Sequence, residues 1–139
     1  MDYKFMPRKL DDEQLDKEVL HFLSKCVGKE HALDRWLLVV NIYGVMVPLA
    51  ERNDDNPLDR EIRYAVARLR EQGHLICDLG NGKGRYMAAN EAEFWEMYAY
   101  YAKPIQKRAE TLKAMKKAAA QKWPNMLQPS LFNFEEEIA

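Results

Sequence analysis

The stretch from Asn56 to Ala88, NPLDREIRYAVARLREQGHLICDLGNGKGRYMA, limits the fold more than any other part of the chain. Asn56 can cap a helix, and Pro57 suits its first position because no intrahelical donor is needed there. Leu58, Ile62, Ala65, Val66 and Leu69 then share one face of that helix. Arg60, Arg63, Ala67 and Arg70 follow 3-4-3 spacing on the other side with Tyr64 beside them, while Arg68 lies at the flank. Gly73 ends the helix. HLICDL reads as a strand, GNGKG as a hairpin turn and RYMAA as the returning strand. A capped amphipathic helix running straight into a glycine-rich hairpin leaves few architectures open.

The remainder is mostly helical. Asp11 and Gln14 form a capping box ahead of Leu15, Val19, Phe22, Leu23 and Cys26, with Gly28 as the stop. A second helix is expected over residues 32–43, from Leu33, Trp36, Leu37, Val40 and Tyr43, with Gly44 as its end. VMVPLA, residues 45–50, is expected to be extended, and ERNDDNP to be a polar loop. Asn90 and Glu93 form another capping box, before a long helix with an expected kink or break near Ala102, ahead of Pro104. Phe94, Tyr98 and Tyr101 share a stripe and read as core. Ile105, Leu112 and Ala119 repeat every seven residues with Met115 between them. They serve either as a short coiled-coil seam in a homodimer or as a stripe packed on the chain's own core.

The expected organisation is therefore an N-terminal tail over 1–10, a domain over 11–90, a long helix over 91–123 and a tail over 124–139. The expected fold class is mainly α with a small β-hairpin: three helices, a hairpin and a long C-terminal helix.

Three helices followed by a hairpin is the order of a winged helix-turn-helix, in which the third helix enters the major groove and the wing touches the DNA backbone. The match is more specific over residues 58–88. Asp59-Arg60-Glu61-Ile62-Arg63, Leu69-Arg70, Gly73, Ile76 and Gly84-Arg85-Tyr86-Met87-Ala88 resemble winged helix-turn-helix DNA-binding proteins of bacteriophages and prophages. In this sequence a longer segment, Val45–Pro57, replaces the family's usual short turn and carries Asp54 and Asp55. The resemblance implies a double-stranded DNA partner. Arg60, Arg63, Tyr64 and Arg70 would meet the groove, and Lys83 and Arg85 the backbone. Arginine forks suit guanine edges and phosphates.

Charge alone does not announce this function, because the formal net charge is −1. Its distribution does more. Acids gather at Asp11–Glu13 and Glu135–Glu137, whereas Glu110 is the only acid among seven cations between Lys103 and Lys122. Such a helix could track phosphates.

In the tail, Gln128, Ser130, Leu131 and Phe132 resemble the bacterial sliding-clamp-binding peptide, with Pro129 departing at the second position. The resemblance implies a clamp partner and a role in DNA replication. The alternative is a tail that folds back, with Glu135–Glu137 over the arginine helix. The functional alternatives are a transcriptional regulator, or a protein-interaction adaptor without strong DNA affinity.

No enzymatic constellation, metal set or cofactor motif stands out. His21, His31 and His74 are scattered, and the GNGKG glycines open a strand rather than a helix, unlike a dinucleotide fingerprint. Two cysteines, Cys26 and Cys77, do not make a disulfide framework. With no apolar run of membrane length and no apolar leader in MDYKFMPRKL, a reducing, cytoplasmic setting is expected.

Overall fold

In the computed structural model, residues 6–80 and 84–126 are described. The chain divides into two compact units, Met1–Met97 and Tyr98–Ala139. The first contains α1 (Asp12–Leu23), β1 (Leu33–Asp34), α2 (Arg35–Tyr43), α3 (Pro57–Glu71), β2 (Ile76–Asp78), β3 (Gly84–Met87) and the start of α4 (Glu91–Lys122). Two short 3-10 turns, Lys29–His31 and Leu49–Glu51, sit in the connections. The fold is mainly α-helical with a small antiparallel hairpin, β2–β3, and is compatible with a winged-helix arrangement.

The helices start where their caps dictate. Asp11 accepts from the Gln14 N–H at 2.8 Å, and the Asp11 N–H donates to Gln14 Oε1 at 3.1 Å. Asn56 Oδ1 accepts from the N–H groups of Leu58 and Asp59. At Asn90 only half the expected box forms. Its side chain caps the Glu93 N–H, but the Glu93 carboxylate accepts from the N–H groups of Ala89 and Lys29 instead. That choice ties the first turn of α4 to the 3-10 turn, where Lys29 also bridges Glu96 at 2.8 Å.

Two expectations are corrected. The second helix begins at Arg35 rather than at residue 32, because Asp34 Oδ2 caps the N–H groups of Trp36 and Leu37. Leu33 and Asp34, freed from the helix, become β1 and pair with Arg85 and Gly84 of β3. Residues 45–48 form neither helix nor strand, as an extended segment would, and only beyond Pro48 does the chain enter the 3-10 turn. The long helix is also unbroken at Pro104.

The sheet order is β1-β3-β2, antiparallel throughout. β3 therefore occupies the centre, and a side chain on Gly84 would meet the Ala32 Cβ at 3.2 Å. Leu15, Val19 and Leu23 of α1, Leu38, Val39 and Ile42 of α2, Ile62, Val66 and Leu69 of α3, and Ile76 of β2 form one buried cluster. Burying each such side chain stabilises by about 1.5–3 kcal/mol before chain entropy is counted. Gly44 closes α2 in the left-handed region at φ 73°, a conformation that a Cβ would strain.

In α4, Tyr98 and Tyr101 are exposed rather than core, and so are Ile105, Leu112 and Met115. No residue of α4 is fully buried. No helix among the described residues is long and apolar enough to cross a membrane.

Tyr43, at the end of α2, is buried, and its pKa is pushed up to about 12 by burial and, secondarily, by the charge of Glu61. The folded value lies above the ordinary 10.0, so the neutral phenol's contribution is complete below about pH 10 and is lost as pH rises towards about 12. Tyr86 shifts in the same direction. Thermal unfolding followed from pH 8 to 12 should therefore show a shallower alkaline decline for Tyr43→Phe than for wild type. Parallel declines would show that Tyr43 titrates alike in both states.

Candidate nucleic-acid interface

The outer face of α3 carries Arg60, Tyr64, Ala67 and Glu71, all exposed, at the spacing of one helical stripe. Tyr64 is 52% exposed and Ala67 adds no bulk, so a partner could approach the helix backbone between them. The Arg60 guanidinium donates to the Asp55 carbonyl at 3.2 Å.

The other arginines of α3 are committed inward. Arg63 donates to the Asp54 carbonyl, and its Nε lies 3.3 Å from Asp59 Oδ2, close enough for charge pairing but not aligned as a hydrogen bond. Arg70 Nε donates to the Ile76 carbonyl at 2.8 Å, and its Nη2 reaches Asp78 at 3.4 Å, so it joins α3 to β2. Arg68 forks onto Asp16, with Nη2 to Oδ1 at 2.7 Å, and joins α3 to α1. The acids that meet Arg60, Arg63 and Arg70 come from the segment before α3, from its first turn and from β2.

Asp59 organises this side of the domain. It is 0% exposed, on the apolar face of α3. Arg35 answers it with two bonds, Nε to Oδ1 at 3.3 Å and Nη2 to Oδ2 at 2.6 Å, while the same Nη2 reaches Asp54 Oδ1 at 3.1 Å. The Arg35 guanidinium also stacks over Trp36, 4.6 Å from the ring centre. Although burial opposes the charge, these carboxylates hold the Arg35 pKa above its ordinary value.

Arg85 belongs to β3. It lies in the central strand, opposite Leu33 on one side and Asp78 on the other. Its Nη1 is buried and has no hydrogen-bond partner among the described residues. Burial lowers its pKa; the carboxylates of Asp59 and Asp78 resist that shift, and the charges of Arg70 and Arg35 add to it. Lys83, the other wing residue, lies outside the described residues, as do Gln128, Ser130, Leu131 and Phe132 of the tail.

Uncompensated cations are found on α4. Lys103, Lys107, Arg108, Lys113 and Lys117 are exposed and form no ion pair among the described residues. Among the described residues, no group of three or more His, Cys, Asp or Glu side chains could hold a metal ion.

Arg35 and Asp59 were missed as candidates. Asp59 did leave a signal: it stands three residues before Ile62, seven before Val66 and ten before Leu69, an acid on the buried stripe. Such an acid needs a cationic partner.

No protein-family model, curated protein or solved structure matches the chain.

Removing one partner of a buried ion pair leaves the other charge uncompensated, typically a loss of about 3–5 kcal/mol. Asp59→Ala should approach that loss in denaturant unfolding, whereas Asp54→Ala, at an exposed carboxylate, should cost under about 1 kcal/mol. Equal effects would remove Asp59 from the centre of the network.

Proposed function

We propose that this chain is a winged helix-turn-helix DNA-binding protein of phage or prophage type that acts in DNA replication or its control. In this reading α3 is the recognition helix and the β2–β3 hairpin the wing. The observation that carries it is the uncovered outer stripe of α3, Arg60-Tyr64-Ala67, on a scaffold with strand order β1-β3-β2. Arg60 would read a base edge or grip a phosphate, Tyr64 would pack on sugar or base, and Ala67 would let the helix lie close. Arg63 and Arg70 support the helix first and reach DNA only on rearrangement.

The free cations of α4 would supply sequence-independent affinity, with the salt dependence that counterion release produces. Its exposed stripe of Ile105, Leu112 and Met115 would pair two copies on a two-fold site. The tail residues Gln128, Ser130, Leu131 and Phe132 would engage a sliding clamp.

A second reading has one observation in its favour. Arg63 pairs with Asp59 and Arg70 with Asp78, so part of the positive charge of α3 is answered within the chain. That suits an adaptor that binds a protein partner without strong DNA affinity.

Duplex binding at two salt concentrations separates the two readings. Arg60→Ala should cost about 1–3 kcal/mol and relax preference at one base, whereas Lys117→Ala should weaken all sequences alike and flatten the salt slope. Salt-insensitive or undetectable duplex binding, with the tail present and with residues 127–139 removed, would move the assignment to the adaptor.

A further inference from the structure

Arg35 and Arg63 share Asp59 near the start of α3, and Arg35 also reaches Asp54. In the last turn of α3 Arg70 pairs with Asp78, and Arg85, opposite Asp78 in the sheet, also feels the charges of Asp59 and Arg35. The acids are not equivalent. Asp59 and Asp78 are built into α3 and β2 and are well covered, whereas the Asp54 side chain is 82% exposed on a loop. Without Asp54, Arg35 and Arg63 share the single charge of Asp59.

The donors are also incompletely used. Arg85 Nη1 and Arg63 Nε are buried and make no hydrogen bond among the described residues. Arg35 and Arg63 meet on a single oxygen, Asp59 Oδ2, at 2.6 and 3.3 Å, so their heads are neighbours. Arg35 Nη2 turns its remaining capacity outward to Asp54. A buried guanidinium with an unanswered N–H costs stability that a further anion would recover. Several donors from separate side chains suit an acceptor with oxygens in several directions, and guanidinium forks match phosphate oxygens in both geometry and charge.

We propose that Arg35, Arg63 and Arg85 form a binding site for one phosphate group, and that the Asp54 carboxylate occupies part of it in the free chain. On binding, the phosphate displaces the Asp54 loop from Arg35 and Arg63 and reaches the open donor of Arg85. Asp59 stays in place and keeps the arginine heads together. The phosphate is either a DNA backbone phosphate or a free phosphate anion; the proposal rests on the DNA-binding reading only for the first source.

The test uses the full chain in four forms: wild type, Asp54→Asn, Arg85→Met and Arg60→Ala. Thermal unfolding is measured in sodium phosphate and in sodium chloride at equal pH and ionic strength. Duplex affinity is measured by fluorescence anisotropy at one salt concentration.

Asp54→Asn should bind several-fold tighter than wild type, because the competing carboxylate is gone. Arg85→Met should bind at least about tenfold weaker, the loss expected for one charge-assisted hydrogen bond. If phosphate alone raises Tm for wild type, more so for Asp54→Asn and not for Arg85→Met, the site takes a free anion. If only duplex affinity follows this order, the site takes a backbone phosphate. Should Arg85→Met fail to fold, the Asp54→Asn comparison decides.

Phosphate and duplex responses that are both unchanged by Asp54→Asn and Arg85→Met overturn the site. Duplex binding that remains sensitive to Arg60→Ala in that outcome leaves the DNA reading standing. A phosphate response without duplex binding does the reverse.

Discussion

The buried carboxylate of Asp59 is the constraint around which this side of the domain is arranged. A charge on the apolar face of a helix must be answered at once, and Arg35 answers it with two hydrogen bonds from the first turn of α2. The pairing links the starts of α2 and α3, and the caps at Asp34 and Asn56 set where those starts lie. The flanks of α3 are tied in the same way, by Arg68 to α1 and by Arg70 to β2. Three of the four α3 arginines, Arg63, Arg68 and Arg70, thus hold scaffold contacts, and the helix is fixed by polar bonds at its edges as well as by its apolar stripe.

This division of labour changes where charge is available. On α3 the cations are largely balanced within the domain, and the outward stripe is set by shape and by Arg60. On α4, Lys103, Lys107, Lys113 and Lys117 have no such partners among the described residues. In the proposed DNA-binding reading this would separate affinity from recognition: diffuse positive charge would attract the polyanion, and the small stripe would discriminate. The net charge of −1 conceals this arrangement, since the acids that offset α4 lie elsewhere in the sequence.

Much of the fold was legible because its signals are local. The boxes at Asp11–Gln14 and the Asn56-Pro57 start can be read from adjacent residues, and the hairpin follows from glycines between two short apolar runs. What could not be read depends on contacts between distant segments. β1 is only Leu33–Asp34, and it is a strand because β3 offers a free edge far along the chain. The site was legible in its residue types and less so in its geometry. Arg63, Arg70 and Arg85 look outward on a helical wheel or a hairpin diagram, yet Arg63 and Arg70 pair with Asp59 and Asp78, and Arg85 has a buried Nη1. Spacing identifies a face; it does not identify which acid another segment will bring to that face.

The connection between α2 and α3 shows how closely these features are coupled. A three- or four-residue turn joins the helices of a compact helix-turn-helix. Such a turn could not hold a 3-10 turn and then carry Asp54 and Asp55 back to Arg35, Arg60 and Arg63. The longer path does so: the Asn53 side chain accepts from the Asp55 N–H, the Arg52 guanidinium donates to the Val47 carbonyl, the Asp54 carboxylate reaches Arg35, and the carbonyls of Asp54 and Asp55 accept from Arg63 and Arg60. Shortening that loop would not merely simplify a surface feature. It would leave Arg35 with its buried partner alone and would take from Arg60 and Arg63 the carbonyls that hold them. Loop length and arginine placement therefore act together, and the acids of the loop set how readily an external anion reaches those arginines.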